Sequence, residues 1–264
     1  MQSNQNQKPN QCNFKNNLDD SQSYPQNFNK IRFDLEVVAS LIKPKSRVLD
    51  IGCGDGELLH FLQQQKNIEG RGLEISHQQV SKALIKGLSV IQGNAENDLA
   101  FYPDKSFDYA VLSQTIQATH NPPKILLEML RIAEFAIVSL PNFGYIQNRL
   151  DLMFKGKMPV NKTIPYQWYE TPNIHFCTII DFENLCHDLD IAILKKVFLT
   201  ANHQLFSIFR KKYFANLFAK YGIFLISKNE IALTGQEQFA FKNMVDLRYQ
   251  AVAPSLYTKN RIND

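Results

Sequence analysis

Between residues 29 and 140, short apolar runs alternate with stretches whose apolar residues recur at helical spacing. The runs fall at 47–51, 71–75, 88–92, 107–113 and 135–140. Residues 34–42 place Val38, Leu41 and Ile42 on one face and meet Pro44, which predicts a helix ending there. Further helices are predicted at 57–64, 78–86 and 122–131, with a loop near Asp98. The last of these is announced by Asn121 as a cap, by two prolines in the first turn, and by Ile125, Leu126, Met129 and Leu130 at helical spacing. Strands separated by helices imply right-handed crossovers and a mostly parallel sheet covered on both faces, an α/β sandwich.

After Leu140 the rhythm breaks. Residues 141–178 form a long connection rich in proline and aromatics, including Phe143, Tyr166, Trp168, Tyr169 and Phe176. A helix at 181–189 and apolar stretches at 191–199 and 222–227 follow. Residues 1–28 are dominated by Asn and Gln with few large apolar side chains, too little to offset the entropy of ordering, so disorder is expected. Residues 229–264 read as a polar C-terminal extension. The expected domain is therefore 29–228, and there is no internal repeat.

The chain has 264 residues, 44% hydrophobic and 20% charged, enough for one domain with a substantial core. A net charge of +4 is diffuse and makes no case for nucleic acid. No segment has the length of a signal-peptide core or of a membrane span, so a cytoplasmic protein without membrane association is expected. Cys12, Cys53, Cys177 and Cys186 show no metal-ligand spacing, so no metal site is expected and the thiols read as buried or idle.

The most informative stretch is VLDIGCGDGELLHFL at 48–62. An apolar run ends in Asp50, Gly52, Gly54 and Gly56 follow at every second position, and a helix begins at once. Glycines at such a turn let the backbone approach a ligand closely, and the helix start offers unpaired N–H groups. Glu74 ends the next run, twenty-four residues after Asp50, where a carboxylate accepts hydrogen bonds from ribose hydroxyls. A dinucleotide fingerprint would need glycine where Glu57 stands, and a pyrophosphate gains nothing from Asp50. A zwitterion does: Asp50 attracts the ammonium of an amino-acid moiety. S-adenosylmethionine or S-adenosylhomocysteine fits this pattern, against the alternative of a purely structural glycine turn.

The glycine block resembles motif I of the class I S-adenosylmethionine-dependent methyltransferases. That resemblance implies a Rossmann-like, seven-stranded sheet whose last strand, at 222–227, runs antiparallel to its neighbours. It also implies an acidic residue after the third strand for the adenine amino group, with a main-chain amide beside it. The chain reads QGNAE there, so Asn94 replaces the usual acid and Ala95 supplies the amide. Ile75 and Ser113 complete the expected cofactor-binding set, Ser113 near the methionine end. More narrowly, FDYAVLSQTIQATHNP, IVSLPNFGY and KGKMPVNKTIPYQWYETPNIHFCT resemble the methionine-biosynthesis protein MetW family over about residues 28–227. That resemblance implies a role beside homoserine O-acyltransferase, with which members associate, and supplies no defined methyl acceptor. The alternative function is a stand-alone methyltransferase acting on a small molecule.

Candidates for catalysis are few. His120 precedes the Asn-Pro-Pro cap and reads first as a loop or capping residue, second as a base. His175 and Cys177 share a face on an extended segment, but a thiolate–imidazole pair lacks a third orienting group. Residues 141–178 leave the edge where this fold binds ligands, so they read as a lid, a partner surface, or aromatics packed on the sheet edge. The stretch LFSIFRKKYFANLFAKYGIF mixes aromatics and cations. It reads as a helix covering the sheet rather than a membrane or RNA element. Asn121-Pro122-Pro123 runs into Lys124, not the Tyr of amino-group nucleic-acid methylases.

Overall fold

The computed structural model describes residues 31–161, 164–200 and 212–228. The expected leader at 1–28, the extension at 229–264, Cys12 and the first part of the aromatic–basic stretch lie outside the described residues. In chain order the elements are α1 (Phe33–Ser40), β1 (Arg47–Ile51), α2 (Glu57–Lys66), β2 (Glu69–Glu74), α3 (His77–Ile85) and β3 (Val90–Gln92). Then come α4 (Ala95–Asp98), β4 (Phe107–Ser113), α5 (Pro122–Ile132), β5 (Ala133–Pro141), α6 (Ile146–Lys155), α7 (Ile179–Asp188), β6 (Ala192–Leu199), α8 (Lys212–Phe218) and β7 (Tyr221–Ser227).

The seven strands lie in the order β3-β2-β1-β4-β5-β7-β6. β1 to β5 pair in parallel, and β7 is antiparallel to both β5 and β6, as the resemblance implied. Side chains alternate across the sheet with period two. Val48, Tyr109 and Val111 join the core under α1, α2 and α3, whereas Leu49, Ile51, Ala110 and Leu112 join the core under α5 and α7. The strand order reverses between β1 and β4, and the crevice at such a reversal is where open α/β sheets bind ligands.

Helix starts follow the sequence chemistry. Asn121 Oδ1 accepts from the Lys124 amide at 3.1 Å, with prolines in the first turn of α5. Thr178 and Asp181 form a reciprocal capping box on α7. Two expectations change. The chain around Asp98 is not a plain loop but a single helical turn, because Asn94 caps it by accepting from the Glu96 amide at 3.0 Å, and a 3-10 turn follows. Residues 141–178 are not a featureless connection: they contain α6, ended by Gly156 in the left-handed region at φ 59°.

The base of that segment is firmly tied. Buried Asn142 donates through Nδ2 to the Asn216 and Ala219 carbonyls, both at 2.7 Å. Its Oδ1 accepts from the amides of Gly144 at 2.9 Å and Ile179 at 3.4 Å. One side chain thereby joins the exit of β5 to the start of α7 and the end of α8. Further out, Asn161 donates to Asn148 Oδ1 at 2.8 Å, and Ile164 is buried.

Candidate functional site

The three glycines of the turn serve different ends. All have positive φ: 69° at Gly52, 56° at Gly54 and 78° at Gly56. A Cβ at Gly52 would stand 2.8 Å from Thr115 Oγ1, and one at Gly56 would stand 2.2 Å from Leu88 Cδ1. Both positions are glycine because the protein itself fills the space. A Cβ at Gly54 would meet nothing within 4 Å. The open approach expected for a ligand is therefore concentrated at Gly54.

Glu74 ends β2 beside that opening. Its Oε2 accepts from the Gly54 amide and its Oε1 from the Ser76 amide, each at 2.9 Å. The carboxylate thus holds the glycine turn against β2, helped by the Gly52 amide donating to the Leu73 carbonyl at 2.7 Å. Each oxygen keeps a second lone pair for another donor. Asp50, at the end of β1, is only 3% exposed and makes no hydrogen bond through its carboxylate among the described residues. Burial, with the charge of Glu74 as a lesser cause, pushes it up to about 7. The same surroundings push the Cys53 thiol up, so it is no nucleophile. Asp50 and Glu74 thus repel one another, with no cation beside Asp50 among the described residues.

Just past the end of β3 the side-chain oxygen of Asn94 is occupied by its capping bond, and the Asn94 main-chain N–H donates to Asp98 Oδ2 at 2.7 Å. Ala95 is half-buried at the first turn of α4, and Ile75 is 66% exposed at the edge next to Glu74. Ser113 shares a hydroxyl–hydroxyl hydrogen bond of 3.0 Å with Ser139. Asp50, the glycines, Glu74, Ile75, Asn94 and Ala95 thus lie along the carboxyl ends of β1, β2 and β3, with Ser113 at that of β4.

The sequence did not single out Gln114, Gln117 or Asp34. Gln114 follows β4 with φ 51° and donates through Nε2 to Asp34 Oδ2 on α1 at 2.6 Å. Gln117 donates to the Gln114 carbonyl at 2.7 Å, and its own carbonyl accepts from the Ile174 and His175 amides at 2.8 and 2.9 Å. A continuous chain of hydrogen bonds therefore joins α1, the exit of β4 and the far end of the 141–178 segment. The only available signal was the pair of glutamines in SQTIQ, whose polarity reads equally well as loop.

His120, distant in sequence from His175 and Cys177, lines one cavity of about 390 Å³ with them and with Ile116, Gln117 and Phe182. His175 Nε2 is 3.4 Å from the His120 carbonyl. The His120 and Asn121 amides hold Glu96 below the usual carboxylate range, which fixes this loop. Burial and the nearby Asp181 push the Cys177 thiol up to about 11, so it is uncharged at neutral pH and does not form the activated pair considered above. Gln117 Oε1 is buried there without a hydrogen-bond partner. Among the described residues no group of His, Cys, Asp and Glu is arranged to hold a metal, and no helix is long and apolar enough to cross a membrane.

A family model described as Methionine biosynthesis protein MetW matches residues 32–226. A bifunctional methionine biosynthesis protein MetXA/MetW of Rhodopirellula baltica is 33% identical over 177 residues, covering 64% of this chain and 28% of that one. Ajmaline N-methyltransferase of Rauvolfia serpentina is 24% identical over 162 residues, 58% of this chain and 54% of its own. The chain therefore spans between about a quarter and a half of these relatives' lengths. Among solved structures, a SAM-dependent methyltransferase of Thermotoga maritima superposes with a TM-score of 0.54 at 23% identity, over 74% of this chain and 88% of that one. The plantazolicin methyltransferase BamL, solved with S-adenosylhomocysteine, gives 0.53 at 18% identity, over 75% and 84%. These likenesses establish the Rossmann-like class I methyltransferase fold.

Proposed function

This chain belongs to the methionine biosynthesis protein MetW family, and on that premise we propose that it binds S-adenosylmethionine or S-adenosylhomocysteine and supports a homoserine O-acyltransferase in methionine biosynthesis. The observation that carries the ligand is the buried Asp50 carboxylate without a donor, beside a Glu74 that holds the open Gly54 turn. A buried Asp50 without a donor is costly in the free protein and gains a partner when an ammonium enters. Asp50 takes the amino-acid end, Gly54 leaves room for the chain, and the remaining lone pairs of Glu74 take the ribose hydroxyls. Exposed Ile75 offers an apolar surface to the adenine, and Ala95 its main-chain amide. Asn94 fits less well, since its oxygen already caps α4. The adenine amino group then gains at most a neutral, shared acceptor. Ser113 stands at the methionine end.

The partner is supported by the Rhodopirellula baltica relative, whose name joins MetXA and MetW in one polypeptide. In this reading residues 29–228 are the ligand-binding domain, with 141–178 as a lid or partner-binding insertion. The ligand derives from methionine, so occupancy of the site reports end-product supply to the acyltransferase. Acyltransferase activity titrated with S-adenosylmethionine should change its dose response when this chain is added. Superimposable titrations with and without it would overturn the proposal.

A second reading, methyl transfer to a small acceptor, is favoured by the cavity that gathers His120 and His175. Labelled methyl appearing in a metabolite extract, and lost in Glu74→Ala, supports that reading. A stable complex with the acyltransferase and no turnover supports the first.

A further inference from the structure

The segment between β5 and α7 distributes its side chains in an unusual way. α6 is amphipathic, but its apolar stripe faces outward: Leu150, Met153 and Phe154 share one face at spacings of three and four, and Phe154 is 76% exposed. Trp168 and Tyr169 pack edge-to-face on one another at 5.6 Å while each stays about two-thirds exposed. More than half of the exposed large apolar side chains among the described residues fall between Leu150 and Phe176. Phe143 packs with its ring tilted against Phe176 of the same segment, centroids 4.3 Å apart, whereas Trp168 and Tyr169 stay exposed. A groove of about 740 Å³ runs between the end of α6 and Trp168, floored by Met158, Pro159 and Val160.

This surface is not loose chain. Asn142, Asn148, Asn161 and Ile164 anchor it from beneath, so the exposed groups are presented on a fixed base. Large rigid aromatics and methionine, gathered around a groove, are the composition of protein-interface centres. An anionic lipid surface would call for free cations along the helix. Lys155 instead pairs with Asp151 at 2.7 Å, and Arg149 Nε donates to the Gly144 carbonyl at 2.6 Å, leaving Lys157 among the described cations of this stretch. The Rhodopirellula baltica relative is a bifunctional protein that carries MetXA and MetW together, which favours that enzyme as the occupant.

Resting on the reading above, we propose that the outward face of α6 and the Trp168–Tyr169 pair are the docking surface for the homoserine O-acyltransferase. The surface leads back to the ligand edge through the Gln117 carbonyl, which holds Ile174 and His175, and through Gln114, so docking and ligand binding share one hydrogen-bonded path.

The test uses the full chain and the homoserine O-acyltransferase of the same organism, purified separately and titrated by sedimentation velocity. The double variant Phe154→Ser/Trp168→Ser alters only exposed side chains, and Ile85→Ser, on α3 and 87% exposed, is the control. Wild type and Ile85→Ser should form the complex alike, and the double variant should bind about ten-fold more weakly or worse. All three should melt together and bind S-adenosylmethionine equally. A double variant that binds the enzyme like wild type overturns the docking surface and leaves the ligand reading standing. So does a double variant that loses only self-association or only binding to anionic vesicles. Failure of the wild-type chain to bind the enzyme removes the partner reading itself, and the docking surface with it.

Discussion

At the carboxyl ends of β1 and β2, two carboxylates are buried with no cation beside Asp50 among the described residues, while along α6 and the Trp168 loop, apolar side chains stand in water. These two regions depart from ordinary packing in opposite directions. The first departure raises the free energy of the protein until a positively charged group arrives, the second until an apolar one covers it. A small polar opening suits a small zwitterion; a broad aromatic face on a rigid base suits a protein. Each proposed occupant follows from what the free chain leaves unsatisfied, and the two are separable by mutation.

The largest effect should come from Asp50. Its carboxyl titrates near 3.8 in the unfolded chain and about 7 in the fold, so the folded state holds a proton that the unfolded state has released. Stability should therefore fall as pH rises from about 4 to about 7, and level off above. Asp50→Asn should remove that slope and stabilise the free protein at neutral pH by on the order of 3 kcal/mol. Urea unfolding across this pH range, without ligand, measures both.

Next come the glycines, which divide packing from approach. Gly56→Ala drives a Cβ into Leu88 at a left-handed backbone position and should cost about 3 kcal/mol of stability. Gly54→Ala meets no protein atom and should cost only about 1 kcal/mol while lowering ligand affinity further than it lowers stability. Equal stability losses at the two positions would erase the distinction between them.

On the other flank the contrast lies between the anchored base and the exposed face. Thr178→Ala removes the capping box of α7 and should cost about 1 kcal/mol. Phe154→Ser should stay within about 0.5 kcal/mol, since the ring contributes surface and little packing. Thermal melts of the two variants decide this.

Much of the α/β core was legible because it obeys local rules. The run at 47–51 and the one at 107–113 are strands with those bounds, since a buried parallel strand is a continuous apolar run between polar turns. β2 begins at Glu69, earlier than its apolar run, because Gly70 and Gly72 lie against Leu59 of α2 and so carry no apolar side chain to mark the strand. α6 went unread because its apolar face is turned to solvent and the surrounding prolines suggest irregular chain. Asp50, Gly54 and Glu74 could be singled out as candidates because the turn and the two strand ends are marked locally, and the fold brings them to one edge of the sheet. Gln114 and Gln117 could not: their roles depend on which distant groups, Asp34 and the Ile174 and His175 amides, the fold brings to them. Nor does spacing tell that His120 and His175 meet in one cavity while Cys177, which lines it too, stays protonated.

Calorimetric titration of the purified chain with S-adenosylmethionine and S-adenosylhomocysteine decides whether a ligand binds beside Gly54. Saturable one-to-one binding is expected, weaker below about pH 7 as Asp50 takes its proton, and lower by about 1–3 kcal/mol in Glu74→Ala. No heat of binding from either compound at millimolar concentration, with or without the acyltransferase, would contradict it.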